Sequence, residues 1–130
     1  MIAARPSIVT SRVVLACLVV LISHLATTER TYPGVESLND KVSHVLAFGA
    51  LSLSADFSFP RSPFGTGKIL ALLGYGILIE CVQYFLPYRE ASVFDVMADG
   101  AGIAAYAFGF AYLRQIPGLR RLWELRQRVR

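Results

Sequence analysis

The chain has 130 residues, of which 55% are hydrophobic and 17% charged, with a mean hydropathy of +0.51; this describes one small domain too apolar for an ordinary water-soluble protein. The net charge of +4 comes from short basic runs near the chain ends, too brief to indicate a nucleic-acid partner. Cys17 and Cys81 both fall inside apolar stretches, so no disulfide framework is expected.

A spanning helix needs ~20 mostly apolar residues, because each adds about 1.5 Å against a hydrocarbon core of roughly 30 Å. Residues 8–26, 42–59, 69–86 and 93–113 approach that length. They predict an all-α, four-span transmembrane helix bundle with short loops, occupying 1–113, and a basic amphipathic tail at 114–130. A soluble bundle would need a polar face on every helix, which the first and third segments lack over most of their length.

The first segment has arginines before an apolar centre, as a signal peptide has. The residues after Ser23 carry no small-x-small cleavage pattern, with His24 and Leu25 where small residues are wanted, so an uncleaved span is expected. Residues 27–39, with Pro33 and Gly34, read as a connector. Ser37-Leu38-Asn39-Asp40 has capping-box spacing with a carboxylate near the helix start, and should open the second span. Lys41 and His44 are three apart, and Phe48 lies four further on, all on one face.

The second span is the least regular, interrupted by serines and by Asp56, which is expected near the surface. Residues 58–68 form a Pro/Gly/Ser turn; Gly65-Thr66-Gly67-Lys68 lacks the full spacing and the preceding strand of a phosphate loop. Glu80 and Gln83 sit three apart at the end of the third span, and Asp95 and Asp99 four apart at the start of the fourth. The turn Pro87-Tyr88-Arg89-Glu90-Ala91 makes those spans antiparallel and brings the pairs to one level. Ser92-Val93-Phe94-Asp95 again has capping-box spacing. Gly74, Gly76, Gly100, Gly102 and Gly109 are expected at close helix contacts. In the tail, Leu119, Leu122, Trp123 and Val129 recur at helical intervals, the pattern of a helix lying on an anionic leaflet.

Ten of the 13 Lys and Arg residues lie at the two termini and in the 58–68 connection; Arg30, Lys41 and Arg89 make up the rest. The positive-inside rule then puts both termini in the cytoplasm of a bacterial inner membrane and the polar corner on its outer face. Carboxylates inside membrane helices cost on the order of 2.5 to 3.5 kcal/mol each at the bilayer centre and generally mark function. Fastening three helices takes one or two ion pairs, such as Lys41 or Arg89 with Asp95 or Glu80, and the corner holds more polar groups than that. Three neighbouring carboxylates do not all ionise comfortably, so one is expected to be neutral.

Asp40-Lys41-x-x-His44-x-x-x-Phe48, Glu80-x-x-Gln83 and Pro87-x-Arg89-x-x-Ser92-x-x-Asp95-x-x-Ala98-Asp99-x-x-Gly102 together resemble the VanZ-like family of small bacterial membrane proteins, over about residues 40–109. The resemblance implies a multi-helix membrane domain, in a family named for a protein linked to glycopeptide-antibiotic resistance and without a generally assigned reaction. The family often has Asn at the position of Asp99, which implies that Asp99 is the neutral, hydrogen-bonding carboxyl.

The leading expectation is an outward-facing pocket of Lys41, His44, Glu80, Gln83, Arg89, Ser92, Asp95 and Asp99. It would recognise an envelope lipid, glycan precursor or lipid-seeking antibiotic, with Arg89 and Lys41 on a phosphate or carboxylate. The alternative is a membrane-embedded hydrolase or transferase using Glu80 or Asp95 as general base, His44 as proton carrier and Arg89 to stabilise developing charge. A proton-linked transporter is a third reading, disfavoured by the few polar groups beyond the corner. A metal trio of His44, Glu80 and Asp95 is set aside, because the corner has one His, no Cys and two basic neighbours. No cofactor is expected; the partners expected are membrane lipids and a lipid-linked envelope precursor.

Overall fold

The computed structural model describes residues 7–29, 36–113, 115–117 and 124, with side chains in the second helix from residue 40 onward. The chain folds into four helices, α1 (Ile8–Thr27), α2 (Glu36–Ser58), α3 (Thr66–Tyr84) and α4 (Val93–Leu113), with no strand among the described residues. Ser7 caps α1, its hydroxyl accepting from the Thr10 amide at 3.0 Å. α2 begins at Glu36, ahead of the Ser37 expected to open it. The predicted tail helix and most of the connector before α2 lie outside the described residues.

Helices α1, α3 and α4 are long and apolar enough to cross a membrane. Their outer faces carry large apolar side chains, among them Val20, Leu25, Leu70, Leu78 and Phe108. So much unpartnered apolar surface fits a bilayer as solvent, and the chain is a membrane protein. α2 is of spanning length but less apolar, and its position explains why. It is the central helix, packed most extensively on α4 and then on α1, so much of its composition answers to protein neighbours, while Val42, Leu46 and Leu53 keep an exposed apolar side. Ser52 and Ser58 are fully buried, and each hydroxyl donates to the carbonyl four residues back at 2.7 Å, which makes them inexpensive there.

Close approach of α4 to α2 depends on Gly102, where a Cβ would run into the Val45 carbonyl and lie 3.0 Å from the Gly49 amide nitrogen. Gly76 on α3 faces the Asp99 carboxylate in the same way. Gly74 and Gly109 were expected at helix contacts too, but a Cβ on either meets nothing within 4 Å. Phe48, Leu51, Leu72 and Ile103 form the apolar core.

This core separates two polar clusters. At one end Asp56, on the last turn of α2, is fully buried. Its Oδ1 accepts from Lys68 Nζ at 2.9 Å and its Oδ2 from the Tyr106 hydroxyl at 2.6 Å. Lys68 also donates to the carbonyls of Phe59 and Ser62 at 3.0 and 2.8 Å. The other cluster lies at the opposite end, where α3 finishes and α4 starts.

Candidate functional site

The polar corner is built where the first turns of α2 and α4 meet the last turn of α3. At the start of α4 the Ser92 hydroxyl accepts from the Phe94 amide at 3.2 Å, the capping role expected of it. In a capping box the residue three on would return to the cap's own amide. Glu80 of α3 takes that place instead, its Oε2 accepting from Ser92 N at 2.9 Å. Asp95 is thereby released toward α2, where its Oδ1 lies 3.7 Å from Lys41 Nζ in an ion pair too long for a hydrogen bond.

One turn deeper, Asp99 is 1% exposed and its Oδ1 is 2.6 Å from His44 Nδ1, an ion-pair-strength contact across the α2–α4 interface. Gly76 makes the room for this carboxylate. His44 Nε2 has no hydrogen bond among the described residues.

Arg89 and Gln83 do something the sequence did not foresee. Both reach the end of α1, whose last carbonyls have no partner within the helix. Gln83 Nε2 donates to the Ala26 carbonyl at 2.9 Å, Arg89 Nε to the same oxygen at 2.7 Å, and Arg89 Nη2 to Leu25 at 3.3 Å. The Tyr88 hydroxyl adds a bond to the Thr27 carbonyl at 2.7 Å. A cation at a helix carboxyl end is also favoured by the helix dipole. The eight expected residues thus divide in two: Lys41, His44, Glu80, Ser92, Asp95 and Asp99 gather between α2, α3 and α4, and Gln83 and Arg89 fasten α1 beside them.

A cavity of about 130 Å³ joins the two groups. Its walls are apolar, from Ile22 and Leu25 of α1, Phe48 of α2 and Ile79 of α3, and its polar rim is Asp40, Ser43, His44 and Arg89. Asp40 was read as a charge at a helix start and as the first residue of the family pattern but not as part of the pocket, yet it sits four residues before His44 and so on the same face. One ligand atom each from Asp40, His44 and Asp95 lie within 4.8 Å of one another. Asp40 therefore replaces Glu80 in the trio weighed from sequence, because Glu80 is turned to the Ser92 amide. Among the described residues, four buried side-chain oxygens lack a hydrogen bond: Glu80 Oε1, Gln83 Oε1, Asp95 Oδ1 and, away from the corner, Ser54 Oγ.

The sequence model of the VanZ/LLP1 family matches residues 7–114, well over half of the chain and all four helices. The chain belongs to the VanZ-like family. No curated protein and no solved structure matches it. For this VanZ-like chain the family assignment covers all four helices of the bundle; the chemistry at its polar end rests on the geometry above.

Proposed function

We propose that this VanZ-like protein recognises the headgroup of an envelope lipid or lipid-linked precursor at the outer leaflet of the bacterial inner membrane. The observation that carries the reading is the cavity itself. Apolar walls from α1, α2 and α3 suit an acyl or isoprenyl chain, and the rim of Asp40, Ser43, His44 and Arg89 suits a polar headgroup. Three buried oxygens without hydrogen bonds beside it, on Glu80, Gln83 and Asp95, supply acceptors that a ligand would complete. Both termini lie in the cytoplasm on this reading, supported by the basic residues of the termini and the 58–68 connection. Reporter fusions that are active only on one side of the membrane, placed after Thr28 and after Arg130, test the orientation.

A second reading, a hydrolase or transferase acting on the same lipid-linked ligand, is favoured by one specific contact. Asp99 holds His44 by Nδ1, the arrangement that fixes an imidazole's tautomer for proton transfer, and Glu80 Oε1 is an unpartnered carboxylate oxygen in electrostatic range of that pair. Mass spectrometry of lipids and metabolites on the purified wild type, His44→Ala and Glu80→Gln separates the readings. Recognition expects a phosphorylated or lipid-linked species on the wild type that His44→Ala loses. Catalysis expects Glu80→Gln to accumulate a species that the wild type lacks. The same ordinary phospholipids on all three proteins would refute both.

A further inference from the structure

Acids outnumber bases at the polar end. Asp40, Glu80, Asp95 and Asp99 stand against Lys41 and Arg89, and Arg89 already donates to two α1 carbonyls. An anionic headgroup entering this corner would find little free positive charge. Asp40 and His44 share a face of α2, Asp95 comes across from the first turn of α4, and their three ligand atoms lie within 4.8 Å of one another.

Clustered acids alone do not make a cation site, but two further observations point to one. Asp95 is 3% exposed, yet its Oδ1 accepts no hydrogen bond, and the Lys41 ammonium stands off at 3.7 Å. A buried carboxylate oxygen in that condition costs free energy unless something completes it. His44 is the second: buried Asp99 holds it by Nδ1 at 2.6 Å and leaves Nε2 without a hydrogen bond. A carboxylate behind an imidazole is the support that metal-bound histidines generally have, since it sets the tautomer and the ring orientation.

We propose that Asp40, His44 and Asp95 bind a divalent cation, with Asp99 orienting His44 from behind. Two carboxylate oxygens and one imidazole nitrogen suit Zn²⁺ or Mn²⁺, and three protein ligands leave a coordination position open. A tetrahedral ion with bonds of ~2.1 Å sets its ligands about 3.4 Å apart, so the three side chains draw in by about an ångström on binding. Asp40 is half-buried and at the cavity rim, where such a movement is unobstructed by core packing. The Lys41 side chain is 41% exposed, and its ammonium is the charge that the ion displaces. Because Asp40 and His44 both line the cavity, a bound ion offers a headgroup phosphate the positive charge that Arg89 does not. With Nε2 on the ion, Glu80 Oε1 is the unpartnered group left for proton transfer. Ion binding is measured without any lipid ligand, so it stands or falls separately from the function proposed above.

The full-length protein in detergent, stripped with EDTA and desalted, is titrated with Zn²⁺ by calorimetry and with Mn²⁺ by electron paramagnetic resonance. Asp40→Asn, Asp95→Asn and Lys41→Met are titrated beside it. The expected result is one ion per chain, bound at least tenfold more weakly by Asp40→Asn and Asp95→Asn and several-fold more tightly by Lys41→Met, which lacks the competing ammonium. Asp40 is outside the core, so Asp40→Asn reads ion binding independently of any change in packing at Asp95. Absence of binding at millimolar ion, binding indifferent to Asp40→Asn, or weaker binding by Lys41→Met would each overturn the proposal.

Discussion

Gly76→Ala asks whether the His44–Asp99 contact is built into the packing or merely tolerated by it. A Cβ at position 76 would run into Asp99 Oδ2 and lie 3.2 Å from both Asp99 Cγ and Phe48 Cζ. Phe48 borders the cavity and can yield, but Asp99 is 1% exposed and held on His44, so the clash with its carboxylate decides the cost. The helices can part, an overpacking that costs typically about 1–3 kcal/mol, or Asp99 can swing away and lose a charge-assisted hydrogen bond worth about 1.5–3 kcal/mol. These are alternatives, and the cheaper one sets the result at about 2 kcal/mol. Gly74→Ala is the control on the same helix, since its Cβ meets nothing within 4 Å and alanine is the better helix former by up to ~1 kcal/mol. Unfolding free energies in mixed detergent and SDS micelles read both variants. In an Asp99→Ser background, where the carboxylate is gone, the Gly76→Ala penalty should shrink by at least about 1 kcal/mol, a coupling that a double-mutant cycle resolves. If Gly76→Ala costs no more than Gly74→Ala, or costs the same with and without the Asp99 carboxylate, the reasoning is wrong.

At the other end, Lys68→Met removes the ammonium from fully buried Asp56 and should cost about 3–5 kcal/mol in the same unfolding assay. Tyr106→Phe, which deletes the 2.6 Å bond to Oδ2, should cost about 1.5–3 kcal/mol. Arg89→Ala should speed amide exchange at the end of α1, residues 26–28, and Arg89→Lys should not restore it, because one ammonium does not replace the two-pronged guanidinium contact with Ala26 and Leu25. Unchanged exchange there would mean that the arginine does not fasten α1. Asp99→Asn keeps an acceptor for His44 and should retain the lipid species that co-purifies with the wild type, while Asp99→Ala loses it. Equal loss in both would show that the carboxylate is needed as a charge.

The spans were legible because a bilayer imposes length and apolarity on whatever crosses it. The ends of α1, α3 and α4 fall within three residues of those read from sequence. α2 starts six residues earlier than its apolar stretch, since hydropathy reports contact with lipid and the first turns of α2 carry polar groups. The level of Asp56 near the end of α2 was legible, but its burial between Lys68 and Tyr106 was not, because those partners come from other helices. Helical spacing identified which residues share a face, and six of the eight corner residues do gather. Spacing along one helix says nothing of what another helix offers opposite it. That Glu80 takes the Ser92 amide, or that Arg89 turns to α1, depends on how closely the helices approach, which Gly102 and Gly76 set through contacts far apart in sequence.

The two polar clusters, read against each other, bear on whether the corner exists only to hold helices together. Around Asp56 the fastening is complete: both carboxylate oxygens are bonded, and Lys68 places its ammonium on Asp56 Oδ1 and two backbone carbonyls. This chain can therefore build a saturated buried ion pair. At the opposite end the same helices leave Glu80 Oε1, Gln83 Oε1 and Asp95 Oδ1 without a hydrogen bond and hold the one lysine at 3.7 Å. Fastening accounts for Gln83 Nε2, Arg89 and Tyr88 on α1, and for Glu80 Oε2 on Ser92. It gives no reason for carboxylate oxygens held out of water and left incomplete, each of which lowers stability. On the proposed function a ligand completes these atoms, which makes the corner a binding site superimposed on a helix junction. Substitutions at its incomplete atoms, Asp95→Asn and Glu80→Gln, should then be neutral or stabilising in the unfolding assay while weakening ligand or ion binding. Changes at Asp56 should have the opposite profile, and a loss of stability at both ends alike would return the corner to a fastening role.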